Sequence, residues 1–268
     1  MQNICPVAVF SLKEIYMNNH DNGSSNNQIE GRNPVTEAIK SGRSIDKIYV
    51  QSGEKHGSIR KIIALAREKK IVINEVERQK LDKMSETKSH QGVIAFAAAK
   101  EYSTIEEIIA YARQLGEAPF VVICDDLNDP HNLGSIIRTA NVMGAHGVII
   151  PKRNSVGLSS VVDKTSAGAL EFTRVARVPN LAAAIETLQK ENIWIVAADM
   201  DGDRSIYTHD FSGAVGIVVG SEGRGVSRLV KEKCDFVVQI PMKGQINSLN
   251  ASVAAALMIY EAARARNL

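Results

Sequence analysis

Short apolar runs alternate with amphipathic patterns over the second half of the chain. The runs are rich in Val and Ile and lie at 120–126, 147–151, 172–177, 193–199, 215–220 and 236–241. Helical periodicity fills the intervals at 132–144, 159–168, 180–191, 226–233 and 249–266. Because the runs are apolar at successive positions, we expect both faces of each strand to be buried. The pattern predicts an α/β fold with a parallel sheet covered by helices.

A smaller α/β pattern precedes it over residues 29–100. The spacing predicts a first helix over 33–42, with Asn33 as its cap, Pro34 in its first turn and Gly42 at its end. A second amphipathic helix is predicted over 57–70, with a basic outer face. Apolar runs at 45–51, 71–76 and 93–99 predict three strands of this unit.

Two segments flank this small unit. Residues 1–28 include an Asn- and Ser-rich stretch without apolar periodicity, which predicts a disordered tail. Met17 lies just before that stretch and is a possible alternative start of the protein. Residues 101–119 are acidic and predict a helix and linker that end at Pro119. The predicted catalytic unit occupies 120–268.

Composition narrows the class of protein. Of 268 residues, 44% are hydrophobic, too high a fraction for a wholly disordered chain. The sequence contains no run of 18 apolar residues, which argues against a membrane-spanning helix, and its first residues do not resemble a signal peptide. Cys5, Cys124 and Cys234 form no CxxC pair, so we expect a reducing, cytoplasmic environment.

Charge is unevenly distributed along the chain. Residues 29–100 carry 15 basic and 9 acidic side chains, whereas residues 120–268 carry 15 of each. A basic unit beside a neutral one indicates that the first attracts a polyanion and the second acts locally. The alternative is that the Lys and Arg side chains only solvate helix faces.

Common catalytic motifs are absent from the sequence. The glycine-rich segment 220–225 has the spacing G-x-x-G-x-G, which differs from a dinucleotide-binding fingerprint, and the sequence has no phosphate-loop lysine motif. The six histidines form no i,i+4 pair and no cluster with cysteine, so no metal is predicted. The acidic run 199–203 is interpreted as an exposed turn after a strand, with cation binding as the alternative.

Polar and glycine-rich segments follow three of the predicted strands, where ligands of parallel sheets bind. They are N-x-G-x-x-x-R at Asn132, Gly134 and Arg138, then GSEGRG at 220–225, then IPMKGQINSLNASVA at 240–254. In type, order and position these segments resemble the three motifs of the SpoU/TrmH RNA 2′-O-methyltransferases. Residues 29–100 resemble the small RNA-binding domain of that family. The subgroup that the chain most resembles methylates a guanosine of 23S rRNA.

The resemblance implies a catalytic domain of the SPOUT type, in which the parallel-sheet α/β fold is tied in a trefoil knot. It also implies a homodimer, with the last helix and the first motif near the interface, and S-adenosylmethionine as cofactor. Gly220, Ile240 and Leu249 match the family's cofactor-binding positions. Gly225 and Met242 add a close backbone approach and apolar surface for the adenine ring; the alternative for Gly225 is a plain turn.

The resemblance also implies five catalytic candidates: Arg138, Asn132, Glu222, Ser248 and Asn250. The family assigns activation of the ribose hydroxyl to Arg138, although a guanidinium is a poor base, so phosphate binding or alkoxide stabilisation is preferred. Glu222 would orient an arginine or the ribose, or form an ion pair with Arg138. Asn132 would hold the loop or ribose, or cap a helix. Ser248 and Asn250 would complete the polar wall of the catalytic site. The alternative for Ser248 is that it caps the last helix.

The basic unit supplies candidate phosphate contacts at Arg32, Arg60, Lys61 and Arg67. Because aromatic residues are scarce there, recognition by RNA shape is favoured over base stacking. The sequence therefore predicts a methyltransferase acting on a ribose 2′-hydroxyl of RNA. Two alternatives stay open: the same chemistry on tRNA or another rRNA site, and a non-catalytic RNA-binding protein.

Overall fold

The computed structural model describes residues 27–53, 57–245 and 248–266. The predicted tail therefore lies outside the described residues, apart from its last two positions. Gln28 already belongs to the first strand, so the folded part begins before residue 29. The possible start at Met17 also lies outside the described residues.

The small unit is a four-stranded sheet with helices packed on it. Its elements are β1 (Gln28–Glu30), α1 (Arg32–Lys40), β2 (Ile45–Gln51), α2 (Ser58–Glu68), β3 (Val72–Val76), α3 (Arg78–Met84) and β4 (Val93–Ala97). The strand order is β1-β4-β2-β3, with β2 and β3 parallel and the other pairs antiparallel. Ile48, Val50 and Ile62 are fully buried between the sheet and its helices.

The first helix begins earlier than its sequence pattern predicts. α1 starts at Arg32, and its cap is Gly31, which has φ +93° and makes no side-chain cap hydrogen bond. Asn33 is therefore not the cap of this helix. The prediction was misplaced because a proline is tolerated within the first turn, so Pro34 does not define where that turn begins.

The second unit is built on a seven-stranded sheet. Its elements are α4 (Ile105–Leu115), β5 (Phe120–Cys124), α5 (Pro130–Val142), β6 (Gly147–Pro151), α6 (Ser160–Ser166), α7 (Ala169–Phe172), β7 (Arg174–Val178), α8 (Leu181–Lys190), β8 (Trp194–Ala198), β9 (Arg204–Ser205), β10 (Val215–Val219), α9 (Arg228–Lys231), β11 (Phe236–Gln239) and α10 (Ala251–Ala265). Every strand pair in this sheet is parallel. This agrees with the parallel sheet predicted from the apolar runs.

Helices cover both faces of this sheet. One core contains Leu133 of α5, Val162 of α6 and Met258 of α10. The opposite core contains Ile108 of α4 and Ile185 of α8. A strand buried on both faces has no solvent side, which explains why its sequence lacks alternation.

The strand order places the ends of β5, β10 and β8 side by side. The order is β7-β6-β5-β10-β8-β11-β9, so β10 is inserted between β5 and β8. Val219 pairs with Cys124, so β5 and β10 end at the same level. The direction of winding reverses at this point, and ligands of open α/β sheets bind at such reversals.

A buried ion pair joins the two units. Arg177 Nη1 donates to Asp46 Oδ1 at 2.8 Å, and both side chains are less than 10% exposed. The hydroxyl of Tyr102 also donates to Asp46, and it accepts from the backbone N–H of Leu158 at 2.9 Å. Burial raises the pKa of Asp46, and the charge of Arg177 opposes that rise. The two units are thus held together by a specific polar contact.

No helix within the described ranges combines the length and apolar character needed to cross a membrane.

Candidate active site

Three polar segments meet at the carboxyl ends of β5, β10 and β11. The Oε1 atom of Glu222 accepts hydrogen bonds from Asn132 Nδ2 at 3.1 Å, from Asn250 Nδ2 and from the backbone N–H of Ala251 at 3.4 Å. The three donors come from two helices, α5 and α10, that pack against each other. Three of the five predicted catalytic residues therefore form one cluster, which we name the Glu222 cluster.

Asn132 enters this cluster from inside a helix. Asp129 is the N-cap of α5, with its side chain accepting from the backbone N–H of His131, and Pro130 follows it. Asn132 is buried and donates to Glu222. The alternative that Asn132 caps this helix is wrong, because a better cap stands three positions earlier.

Asn250 has two roles. It is the N-cap of α10, and its Oδ1 accepts from the backbone N–H groups of Ser252 at 3.0 Å and Val253 at 3.3 Å. Its amide nitrogen is thereby free to donate to Glu222. Ser248 is not the cap of this helix; it is exposed and lines the neighbouring cavity.

The glycine-rich segment after β10 folds back on itself. Ser221 and Gly225 exchange backbone hydrogen bonds of 3.1 and 3.0 Å. A Cβ at Gly220 would lie only 2.0 Å from the carbonyl group of Gly225, so no larger residue fits. Gly225 has φ +66°, a conformation that side chains rarely adopt.

This glycine loop borders a cavity of about 150 Å³, the glycine-loop cavity. All five predicted cofactor residues line it: Gly220, Gly225, Ile240, Met242 and Leu249. Met242 and Leu249 are exposed at its rim, whereas Ile240 is partly buried against the core. The structure thus gathers these residues around one space.

Asp199 also lines the glycine-loop cavity. Its side chain is only 10% exposed and pairs with Lys231 Nζ at 3.0 Å, and this hydrogen bond raises the pKa of Lys231. The interpretation of 199–203 as an exposed turn is therefore wrong at its first residue. The available signal was position, because Asp199 directly follows β8 at the edge where ligands bind. Met200, Ser221 and Arg224, which also line the cavity, were missed as well.

A second cleft of about 520 Å³, the Glu222 cleft, adjoins the cavity. Asn132 and Glu222 lie in its wall, and Ser221 and Arg224 border both spaces. A ligand group in the cavity can therefore approach a second molecule bound in the cleft. Such an arrangement suits a transfer between two substrates.

Arg138 lies apart from the Glu222 cluster. It is six positions after Asn132 on α5, which corresponds to about 9 Å along a helix axis. Its side chain is exposed and forms no hydrogen bond or ion pair with any residue that the structure describes. The alternative of an ion pair with Glu222 is therefore wrong within one chain.

The predicted RNA contacts differ in their surroundings. Arg60, Lys61 and Arg67 are exposed on α2. Arg32 is half-buried and donates to the backbone carbonyl of Gln91 at 3.0 Å and to Ser58 Oγ at 3.4 Å. Its guanidinium is thus largely occupied within the small unit.

The two described cysteines are not nucleophiles. Burial raises the pKa of Cys124 to about 12 and that of Cys234 to about 12. Their thiols stay protonated near neutral pH, and only a thiolate attacks carbon efficiently. Within the described residues, no group of His, Cys, Asp and Glu is arranged to hold a metal ion.

Two family models match the chain. Residues 28–103 match the model for RNA 2′-O ribose methyltransferase substrate binding. Residues 119–260 match the model of the SpoU rRNA Methylase family. The first match covers the small unit and the second contains the Glu222 cluster and the glycine loop.

Individual proteins match over most of their length. A TrmH family tRNA/rRNA methyltransferase from Bacillus subtilis (strain 168), YacO, is 46% identical over 237 residues, covering 88% of this chain and 95% of that protein. A TrmH family tRNA/rRNA methyltransferase from Staphylococcus saprophyticus is 49% identical over 239 residues, covering 89% and 96%. The crystal structure of the SpoU methyltransferase AviRb from Streptomyces viridochromogenes, in complex with the cofactor AdoMet, aligns with a TM-score of 0.57 and 25% identity, covering 89% of this chain and 90% of that one. This alignment confirms the predicted α/β fold class.

Proposed function

The chain belongs to the SpoU/TrmH family of S-adenosylmethionine-dependent RNA methyltransferases, and from that premise we propose that it methylates a ribose 2′-hydroxyl of 23S rRNA, on a guanosine. Membership of the family implies the trefoil-knotted topology of the catalytic domain. The rRNA in the description of the matching family model and the basic small domain support this substrate. The cysteine usage supports a cytoplasmic location.

The glycine-loop cavity fits S-adenosylmethionine. Its wall at Gly220 and Gly225 is main chain, which can recognise an adenine edge without charged side chains. Ile240, Met242 and Leu249 offer apolar surface for the ring. When bound, S-adenosylmethionine supplies an electrophilic methyl group on its sulfonium.

Glu222 orients the acceptor ribose in this proposal. Its Oε1 atom is held by three donors, whereas its Oε2 atom has no hydrogen-bond partner within the described part of the chain. Oε2 can therefore accept a hydrogen bond from a ribose hydroxyl in the Glu222 cleft. Aligning the two reacting groups contributes several kcal/mol to lowering the barrier. Ser248 at the cavity rim completes the polar wall.

Arg138 acts in the reaction through its positive charge and not as a base. A guanidinium stays protonated in proteins, so it binds a phosphate or stabilises the negative charge that develops on the ribose oxygen. Because Arg138 is exposed and makes no contact with the Glu222 cluster of its own chain, it serves this role where a second copy approaches.

A homodimer supplies that second copy. Val253, Leu257 and Tyr260 form an exposed apolar row on α10 at helical spacing. Val142 is exposed at the end of the adjacent α5, the helix that carries Arg138. An apolar face of this kind supports a dimer in which α5 and α10 meet the partner.

One observation carries the proposal: the Glu222 cleft adjoins the glycine-loop cavity, and Ser221 and Arg224 line both spaces. We would measure methyl transfer from labelled S-adenosylmethionine to separated unmethylated 23S rRNA, 16S rRNA and tRNA. We expect label in 23S rRNA, at a ribose of guanosine, and its loss in the Arg138→Ala and Glu222→Ala variants. Label in tRNA or 16S rRNA alone would overturn the proposed substrate.

A further inference from the structure

A groove of about 620 Å³ separates the small domain from the catalytic domain; we name it the interdomain groove. On one side lie β3, which is an edge strand of the small sheet, and parts of β2 and α2. The other side is the segment 152–157 that follows β6. An edge strand presents backbone groups that no neighbouring strand occupies, so this wall is polar as well as accessible.

The interdomain groove leads to the reaction centre of the same chain. Asn128 and Asn154 line both the groove and the Glu222 cleft. A polymer whose reacting unit sits in the Glu222 cleft therefore has the interdomain groove next to it, in the direction of the small domain.

The charge of the groove is positive. Lys47 and Arg67 line it from the small domain, and Lys152 and Arg153 from the catalytic domain. Arg67 and Arg153 are exposed and form no ion pair with the described residues. Burial lowers the pKa of Lys152, and the nearby charges of Arg177 and Lys70 lower it further. Cations crowded in this way attract a polyanion.

The carboxylates of the groove do not cancel this charge. They are Asp46 and Glu75. Asp46 is buried and paired with Arg177, so its charge is balanced within the domain junction. One carboxylate then faces the four cations Lys47, Arg67, Lys152 and Arg153.

The junction also holds residues of the two domains in close contact beside the groove. Asp46 contacts Arg177 and Tyr102, and a Cβ at Gly157 would lie 2.3 Å from the carboxylate of Asp46. The two walls are thus locked together at close range. A groove that is already formed binds a ligand without the free-energy cost of ordering it first.

Resting on the proposed function, we propose that the interdomain groove binds the phosphodiester backbone of the RNA strand that adjoins the methylated nucleotide. Arg67 and Arg153 hold this strand from opposite walls. The small domain and the catalytic site of one chain thus bind the same RNA strand. The contacts with phosphate position this strand without recognising its bases.

The test compares two double variants that remove the same charge. Arg67→Gln with Arg153→Gln removes a cation from each wall of the groove. Arg113→Gln with Lys190→Gln removes two exposed cations on α4 and α8, which do not line the groove. Affinity for a mixed-sequence single-stranded RNA is measured at several salt concentrations, together with KM and kcat on 23S rRNA and S-adenosylmethionine binding.

We expect the groove variant to lower the slope of log affinity against log salt by about 1.4, since each lost phosphate contact on a single strand removes about 0.7. Its KM for RNA should rise at least roughly tenfold, with kcat and cofactor binding retained. The control variant should match the wild type. An unchanged slope in the groove variant, or an equal loss in the control, would overturn the proposal.

This design separates the two proposals. If the wild-type protein methylates no RNA, the proposed function fails, and the salt slopes still decide whether the groove binds RNA backbone. If the wild-type protein methylates 23S rRNA and the groove variant keeps its KM and slope, the groove proposal alone fails.

Discussion

At the scale of single residues, the main chain of Gly220, Gly223 and Gly225 forms one part of the wall of the glycine-loop cavity. Gly220 is packed against the carbonyl group of Gly225, and the two ends of the loop exchange hydrogen bonds. Recognition of a ligand by backbone groups depends on the path of the main chain. A single methyl group added at Gly220 therefore disrupts this recognition.

Gly220→Ala should lower the affinity for S-adenosylmethionine at least roughly tenfold, which corresponds to about 1.4 kcal/mol. The reason is the 2.0 Å approach of the new Cβ to Gly225, which forces the loop open. Gly213→Ala is the matched control, because a Cβ there meets no atom within 4 Å. Calorimetric titration with the cofactor measures both. Equal affinity in the two variants would contradict this account of the loop.

Sequence motifs predict part of this site and miss part of it. Asn132, Glu222 and Asn250 each follow a strand of one parallel sheet, and such positions converge at one sheet edge. The structure brings those three together. Asp199 escapes notice because acidic residues after a strand are typical of exposed turns, and its burial depends on the fold around the glycine loop. Arg32 is basic, yet its guanidinium is committed to Gln91 in a way that no local pattern reveals.

At the scale of elements, the start of α10 combines stability with function. Asn250 caps this helix through one atom of its side chain and holds Glu222 through another. The end of the helix is thereby tied to the glycine loop.

Asn250→Ala should lower both the free energy of unfolding, by about 1 kcal/mol, and the rate of methyl transfer, at least roughly tenfold. Asn180→Ala removes an equivalent cap from α8, where Asn180 Oδ1 accepts from the backbone N–H of Ala183 at 3.2 Å, and Asn180 lines neither the Glu222 cleft nor the glycine-loop cavity. We expect the same loss of stability there with wild-type activity. Urea unfolding and kcat on RNA distinguish the roles. If both variants kept full activity, the link from α10 to Glu222 would have no catalytic value.

Glu30 links β1 to the turn after α3. Partial burial by itself raises its pKa, but hydrogen bonds from Ser85, Thr87 and the backbone N–H of Glu86 outweigh this and lower the pKa to about 2. A carboxylate whose folded-state pKa lies below its unfolded value stabilises the fold above the unfolded pKa of about 4.3. That stabilisation disappears as the pH falls toward 2.

Glu30→Gln should therefore lower the free energy of unfolding at pH 7. Between pH 5 and pH 2 the free energy of unfolding should fall less steeply in this variant than in the wild type, because the variant lacks the proton uptake of this one carboxylate. Glu37→Gln, at an exposed position of α1, should keep the wild-type profile. Urea midpoints by circular dichroism across this pH range give the comparison. Parallel profiles for Glu30→Gln and the wild type would contradict the assignment.

Element prediction succeeds where the pattern is long enough. The strands β5, β6, β8 and β10 are apolar at almost every position, and the long helices α5 and α8 each show an apolar face. β9 has two residues and α7 has four, too few to display any period. β1 lies at the border of a polar tail, and only its pairing with β4 makes it a strand.

At the scale of the whole molecule, the Asp46–Arg177 pair sets how the two domains meet. The partners are 131 residues apart in sequence. Domain composition and charge predict two units with separate tasks, but a contact over such a distance leaves no trace in either segment alone. The interdomain groove therefore could not be predicted from the sequence.

Asp46→Ala should lower the free energy of unfolding by about 3–5 kcal/mol, because it leaves the guanidinium of Arg177 buried without its partner. Glu37→Ala breaks the exposed Lys40–Glu37 pair, and we expect less than about 1 kcal/mol there. Urea unfolding followed by the fluorescence of Trp194, the single tryptophan, measures both. A similar small loss in the two variants would show that the buried pair does not hold the domains.

The distance between Asp46 and Arg177 also has a consequence during synthesis. Ribosomes add about 5–20 residues per second, so Asp46 leaves the peptidyl-transferase centre roughly 7 to 26 s before Arg177 is made. Throughout that interval the nascent small domain carries a carboxylate whose final burial site does not exist. The ion pair that joins the domains therefore cannot form until β7, the seventh strand, has been translated.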